Sequence, residues 1–120
     1  MAVRAIRGAT QLQADDREEM IEAVVELVTQ MLTANGLSAG DLISMVFTAT
    51  PDLTSEFPAF AARQLGMGDV PLMCASEIDV QGALPRVIRV MAHVDTSLER
   101  PGIHHVYLRG AEVLRRDLAQ

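Results

Sequence analysis

Two arginines and a tyrosine interrupt apolar strand-like patterns in this sequence. Arg7 and Arg89 each occupy an alternate position within a run of small or branched apolar residues, and Tyr107 stands in a third such run. A buried guanidinium without a partner is costly, so these arginines require either an acid of this chain, such as Glu77 or Asp79, or an anionic ligand. Because a guanidinium pairs with a carboxylate through two parallel hydrogen bonds, the pattern favours a carboxylated small molecule. The alternative is that each arginine lies at a strand edge and points into water.

The other reactive residue types do not form a recognisable catalytic motif. Glu77 falls in a loop near a strand end, a common place for site residues. Cys74 has no obvious partner base, so a buried or hydrogen-bonding thiol is the simpler interpretation. His104 and His105 are adjacent on a predicted strand and therefore point to opposite faces, which disfavours a shared metal ion. The sequence contains no phosphate loop, dinucleotide fingerprint or Ser-His-Asp order, and we expect neither a metal nor a cofactor.

The charge and composition restrict the class of protein. Sixteen acids against ten bases give a net charge of −6, which argues against a nucleic-acid partner. All ten bases are arginine; residues 1–56 hold nine acids and three arginines, whereas residues 57–120 hold seven of each. No apolar run approaches the roughly 18 residues of a membrane span, and no signal peptide is evident. The single cysteine excludes an internal disulfide. We expect a cytoplasmic protein.

The periodicity predicts five strands and two helices. Asp15 and Asp16 each precede a glutamate by three residues, which is typical of a helix start, and Asn35-Gly36 is a helix stop. The early Pro71 indicates an edge or strand-start position. The predicted helices span residues 15–34 and 58–65, and the predicted strands span residues 2–9, 42–49, 70–75, 86–94 and 103–109.

These elements define the expected fold class. We expect an α+β protein with a mixed five-stranded sheet, one long helix and one short helix, in a single domain over residues 1–120. Two helices can cover one face of such a sheet, and the second face then needs a partner. We therefore expect a homo-oligomer in which these second faces meet.

Five sequence segments, in order and almost without gaps, carry a family resemblance. They are VRAIRGAT at 3–10, TATPDL at 48–53, FPAFAARQLG at 57–66, VPLMCASEIDVQGALPRVIRVMAHV at 70–94 and HHVYLRGAEVLRRDL at 104–118. In these segments the chain resembles AroH-type chorismate mutases, the small monofunctional bacterial class. The resemblance implies a pseudo-α/β-barrel homotrimer with active sites at the subunit interfaces. It also implies conversion of chorismate to prephenate, toward phenylalanine and tyrosine, without a cofactor.

The resemblance also implies roles for individual residues. Arg7 and Tyr107 match positions that hold the enolpyruvyl carboxylate, and Arg89 matches the arginine that reaches the ether oxygen of the breaking bond. Glu77 and Cys74 match the pair near the ring hydroxyl. The implied pocket-lining positions are Phe57, Ala59, Arg63, Leu72 and Met73, and the implied closing segment contains Leu114 and Arg115. Phe57, Ala59 and Arg63 would come from the short helix of the neighbouring subunit.

The chain also departs from the family pattern, and two other functions compete. Phe60 stands where relatives often carry a lysine at the pocket mouth, and Ala5 replaces a more usual glycine. Because the sequence continues only briefly after Asp117, we expect no long mobile lid. One alternative is a small trimeric imine or enamine deaminase, which shares the size and architecture but lacks the TPDL and HVYL segments. The other is a catalytically inactive trimer that serves as a ligand sensor or interaction scaffold.

Overall fold

A computed structural model of the protein describes residues 1–114. Within this range the chain forms five β-strands, two α-helices and two short 3₁₀ turns. All seven helices and strands expected from the sequence are present, most of them within two residues of the predicted bounds. The strands are β1 (Ala2–Gln11), β2 (Leu42–Ala49), β3 (Leu72–Ser76), β4 (Val87–Thr96) and β5 (Val106–Leu108), and the helices are α1 (Arg17–Ala34) and α2 (Pro58–Gln64).

The five strands form one mixed sheet in the order β3-β2-β4-β1-β5. The three central strands pair antiparallel, whereas the edge strands β3 and β5 run parallel to their neighbours β2 and β1. The α+β class with a mixed sheet is therefore confirmed. Pro71 immediately precedes the edge strand β3, where the N–H that proline lacks is not needed for the sheet.

Helix α1 packs one apolar side against the sheet. The Asp16 carboxylate caps its first turn by accepting from the Glu19 N–H at 2.9 Å. Met31, on the buried side, lies so close to β1 that a side chain at Gly8 would collide with its sulfur atom. Glycine next to Arg7 thus allows the helix to approach the strand. No helix within residues 1–114 combines the length and apolarity needed to cross a bilayer.

Alternate strand residues separate the two faces of the sheet. One face meets the helices and forms the core, with Ile6, Met45, Phe47, Ile88 and Val90 all at most 3% exposed. We call the other surface the open face, because no helix among the described residues covers it. It is formed by Val3, Ala5, Arg7, Ala9, Ser44, Val46, Thr48, Met73, Ala75, Arg89, Met91, His93 and Tyr107.

Strand β5 is shorter than the predicted span of residues 103–109, and side chains explain the difference. The Asn35 amide, at the end of α1, accepts from the His104 N–H at 2.8 Å and donates to the His104 carbonyl at 2.9 Å. The His105 ring accepts from the Arg7 N–H at 2.9 Å. These bonds occupy backbone groups that a longer strand would pair, so the ladder with β1 begins only at Val106.

Candidate active site

Arg7, Arg89 and Tyr107 converge on the open face around one small residue. Ala9 of β1 is paired with Arg89 on β4 and with Tyr107 on β5, and Arg7 lies two positions earlier on the same face of β1. The three side chains line a cavity of about 240 Å³ whose lining also includes Ala9 and Val46. Two guanidinium groups and a phenol beside apolar side chains make a cavity suited to a compact anion.

Glu77 approaches this cavity from the end of β3. Its backbone N–H donates to the Ala49 carbonyl at 2.9 Å, which fixes the start of the loop beside β2. Its carboxylate accepts from the Arg89 Nε at 3.1 and 3.2 Å and from the Thr48 hydroxyl at 2.6 Å. The expected acid partner of Arg89 is therefore Glu77, whereas Asp79 is exposed and pairs with no base among residues 1–114.

Arg89 retains donors that the chain does not use. The ion pair with Glu77 engages Nε, and no residue within 1–114 accepts from Nη1 or Nη2. Arg7 likewise forms no ion pair with any described residue, although it lines the cavity. Both guanidinium groups are therefore available to an anionic ligand.

A second group of expected site residues lies on the other side of β3. The Cys74 sulfur accepts from the Ala59 N–H at 3.4 Å, at the start of α2. Cys74 and Phe57 line a separate cavity of about 470 Å³. Phe57 is 69% exposed, and Leu72 packs against the core on the helix side. The structure of one chain therefore does not bring Cys74 and Glu77 into one cavity.

The remaining expected site residues are dispersed in the single chain. Met73 lies on the open face and is 67% exposed, and Arg63 is exposed in the last turn of α2. Leu114 is half-buried after the turn that follows β5. Arg115 falls outside the described residues. Phe60 packs under the Arg17 guanidinium, whose carbon lies 5.1 Å from the ring centroid.

Two acids hold the loop that leads into α2. The Asp15 carboxylate accepts from the Thr54 N–H, the Thr54 hydroxyl and the Ser55 N–H at 2.9–3.1 Å. Burial alone would raise the pKa of Asp15, but these hydrogen bonds outweigh it and lower the pKa below its ordinary value. The Phe57 N–H and then Arg17 lower the pKa of Glu56. Both carboxylates thus stabilise the segment that presents Phe57.

Two residues that the structure places at or beside these cavities, Thr48 and Asp15, are not predicted as site residues from the sequence. Thr48 belongs to the TATPDL segment, and its place opposite Arg89 depends on the register of β2 against β4. The sequence offers both Asp15 and Asp16 as caps of the first helix, and in the structure Asp16 is the cap while Asp15 binds the loop before α2. The described residues contain no group of three or more His, Cys, Asp or Glu side chains that could hold a metal ion.

Comparisons with known proteins show similarity both in sequence and in overall structure. The family described as chorismate mutase type I matches residues 3–118. The chain is 51% identical to the chorismate mutase AroH of Thermus thermophilus over 97% of this chain and 96% of that protein. It is 42% identical to the chorismate mutase AroH of Bacillus subtilis over 99% of this chain and 94% of that protein. A chorismate mutase structure from Clostridium thermocellum superposes with a TM-score of 0.90 at 46% identity, covering 92% of this chain and 98% of that one.

The matching family and the named relatives are isomerases of the chorismate mutase type, which defines the class of protein. The chain belongs to the chorismate mutase type I family. Its activity is that of a chorismate mutase, and the resemblance carried by the five sequence segments is confirmed.

Proposed function

We propose that the protein converts chorismate to prephenate in the cavity lined by Arg7, Arg89 and Tyr107. The observation that carries this proposal is the convergence of these three side chains around Ala9. Chorismate carries two carboxylates, and the unpaired Arg7 guanidinium and the Tyr107 hydroxyl suit its enolpyruvyl carboxylate. This binding holds the flexible side chain in the compact conformer from which the reaction proceeds.

The reaction is an intramolecular [3,3] rearrangement. The C–O bond of the ether breaks while a C–C bond forms, and no net proton transfer or added nucleophile is needed. The breaking oxygen gains negative charge and the ring gains positive charge. Donors that are already oriented toward the oxygen stabilise this charge more in the transition state than in the ground state.

Arg89 and Glu77 suit these two developing charges. The terminal nitrogens of Arg89 donate to no acceptor among the described residues and can donate to the ether oxygen. The Glu77 carboxylate contacts Arg89 and Thr48, both of which line the cavity, and its negative charge lowers the energy of the ring cation. The pair works without covalent or acid–base catalysis and without a cofactor.

We also propose that the enzyme is a homotrimer of pseudo-α/β-barrel form, with each site completed across a subunit interface. Val3, Met73 and Met91 leave 59, 67 and 37% of their surface exposed on the open face, an apolar exposure that association would remove. Phe57, Ala59 and Arg63 lie apart from Arg7 and Arg89 within one chain. In the trimer, the neighbouring subunit supplies these residues, with Leu72, Met73 and Cys74 lining the pocket and Leu114 and Arg115 closing it.

The proposed cellular role follows from the product. Prephenate leads to phenylalanine and tyrosine, and the pathway is cytoplasmic. We propose that residues 1–120 act as one domain with no nucleic-acid or membrane partner.

Two measurements test the proposed function. Purified protein is incubated with chorismate, and prephenate is detected as chorismate disappears; a folded protein without turnover would overturn the assignment of this site. Sedimentation equilibrium at micromolar concentration should give the mass of a trimer. A stable monomer with full activity would show that one chain completes the site alone.

A further inference from the structure

Thr48 stands at the junction of the two charged residues of the proposed site. It lies on the open face of β2, paired directly with Arg89 on β4, and it lines the same cavity. Its hydroxyl donates to the Glu77 Oε2 at 2.6 Å, the usual length of a charge-assisted hydrogen bond from a hydroxyl to a carboxylate. Thr48 and Glu77 are both partly buried, so water competes poorly for this bond.

The geometry of the Arg89–Glu77 ion pair indicates where the carboxylate would move without the hydrogen bond from Thr48. Both carboxylate oxygens face Nε, at 3.2 and 3.1 Å, rather than dividing between Nε and a terminal nitrogen. A carboxylate gains most from a guanidinium in the bidentate arrangement, which uses two nitrogens. A carboxylate released from Thr48 can therefore shift toward Nη1 or Nη2. It would then occupy the donors that the breaking ether oxygen needs.

We propose that Thr48 is a positioning residue for the rearrangement: its hydroxyl holds the Glu77 carboxylate against Nε and keeps the terminal nitrogens of Arg89 available for the substrate. This inference deepens the proposed function and rests on it. Thr48 touches no reacting atom in this scheme and acts through Glu77. Its effect therefore falls on the chemical step more than on the capture of the substrate carboxylates by Arg7 and Tyr107.

Steady-state kinetics of Thr48→Val and Thr48→Ser test the role of the hydroxyl. Valine keeps the shape of the side chain and removes the donor, and serine keeps the donor. We expect Thr48→Val to lose about tenfold or more in kcat, with KM changed by less than about threefold. Thr48→Ser should retain most of the wild-type kcat. The matched control is Ser44→Ala, which removes a hydroxyl on the same face of β2 that contacts His93 instead, and it should leave kcat unchanged.

A double-mutant cycle with Glu77→Ala isolates the contact. In the Glu77→Ala background, Thr48→Val should cause no further loss of kcat, because the carboxylate that it positions is absent. Urea unfolding of the same four proteins should show a coupling between the two positions, and this readout does not depend on substrate.

Each of three results would overturn the inference: a Thr48→Val enzyme with wild-type kcat, a Thr48→Ser enzyme as slow as Thr48→Val, or independent effects of Thr48→Val and Glu77→Ala. A loss of kcat in Ser44→Ala equal to that in Thr48→Val would also overturn it, since any hydroxyl of β2 would then matter equally. Absence of turnover by wild-type protein would instead refute the proposed function. The unfolding cycle would then still decide whether Thr48 and Glu77 are coupled.

Discussion

Arg89 and Glu77 form an ion pair through the inner nitrogen of the guanidinium. The Arg89 Nε lies 3.2 and 3.1 Å from the two carboxylate oxygens, and both terminal nitrogens are left without an acceptor among residues 1–114. The Glu77 carboxylate therefore orients the Arg89 guanidinium and leaves the N–H groups of its terminal nitrogens available. A guanidinium can do this because its donors point in several fixed directions within one plane.

Replacement of Arg89 should abolish most of the catalysis. We expect Arg89→Ala to lose on the order of 10²–10³ in kcat, the usual effect of removing one oriented donor to a developing oxyanion. Arg89→Lys should also be slow, because a single ammonium drawn to Glu77 does not present the outer donors of the fork. Stopped or continuous assays of chorismate loss measure both variants.

Thermal melting provides the control for these variants, since the Arg89 side chain is about half exposed and contributes little to the core. A melting temperature close to wild type together with lost kcat supports the assigned role. Near-normal turnover by Arg89→Lys would show that a positive charge without the fork is sufficient.

Arg63→Ala should affect binding more than chemistry. Arg63 is exposed in the last turn of α2 and forms no ion pair with the described residues, so its charge is free to attract a substrate carboxylate. We expect KM to rise by roughly tenfold, the scale of one hydrogen bond to a charged group, with a much smaller change in kcat. The neighbouring exposed Gln64→Ala is the matched control for the helix. Equal, mild losses in Arg63→Ala and Arg89→Ala would contradict the division of roles.

Acid should destabilise the protein partly through Asp15. Burial alone would raise the pKa of Asp15, but the hydrogen bonds from Thr54 and Ser55 lower it below the ordinary value of 3.8. A carboxyl whose pKa is lower in the folded state contributes stability above its unfolded pKa, and the contribution disappears as the pH falls through the lower, folded value. Asp15→Asn should therefore melt earlier than wild type at neutral pH, and this difference should shrink below about pH 4.

Thermal unfolding across the acid range measures this effect. Asp69→Asn is the control, since Asp69 is exposed and forms no hydrogen bond with the described residues. A constant difference between wild type and Asp15→Asn down to about pH 2 would show that the carboxylate charge is not what holds the loop.

Chelators should leave turnover intact. The rearrangement transfers charge within one molecule, and arginine donors suffice for the oxygen that gains it. The described residues also offer no cluster of metal ligands. Activity measured before and after dialysis against EDTA checks this expectation, and inactivation that is reversed by added metal would contradict the proposed mechanism.

Much of the fold follows from periodicity and turn signals. The alternation of apolar residues in β2 and β4 and the apolar stripe of α1 located these elements because each buries one side. The shortening of β5 escaped prediction for a physical reason. The groups that replace its ladder bonds are the side chains of Asn35 and His105, and their partners lie far away in the sequence.

The candidate site was predictable in part. Arg7 and Arg89 interrupt apolar strands, and this pattern predicted that they bind an anion. That they meet around Ala9 depends on the register of strands joined by long connections, and the sequence does not show this register. The joint role of Cys74 and Glu77 near the ring hydroxyl stays a prediction from the resemblance. Within one chain the structure places the Cys74 sulfur beside Ala59 and the Glu77 carboxylate beside Thr48.

The two faces of the sheet have different roles: one packs against the helices and the other carries the cavity. Residues such as Phe47 and Ile88 pack the sheet against the helices, while the neighbouring positions Thr48 and Arg89 line the cavity on the reverse side. Repacking between the sheet and the helices can therefore raise heat tolerance without replacing a side chain that lines the cavity, whereas a substitution on the open face acts on the cavity and on the proposed subunit interface together.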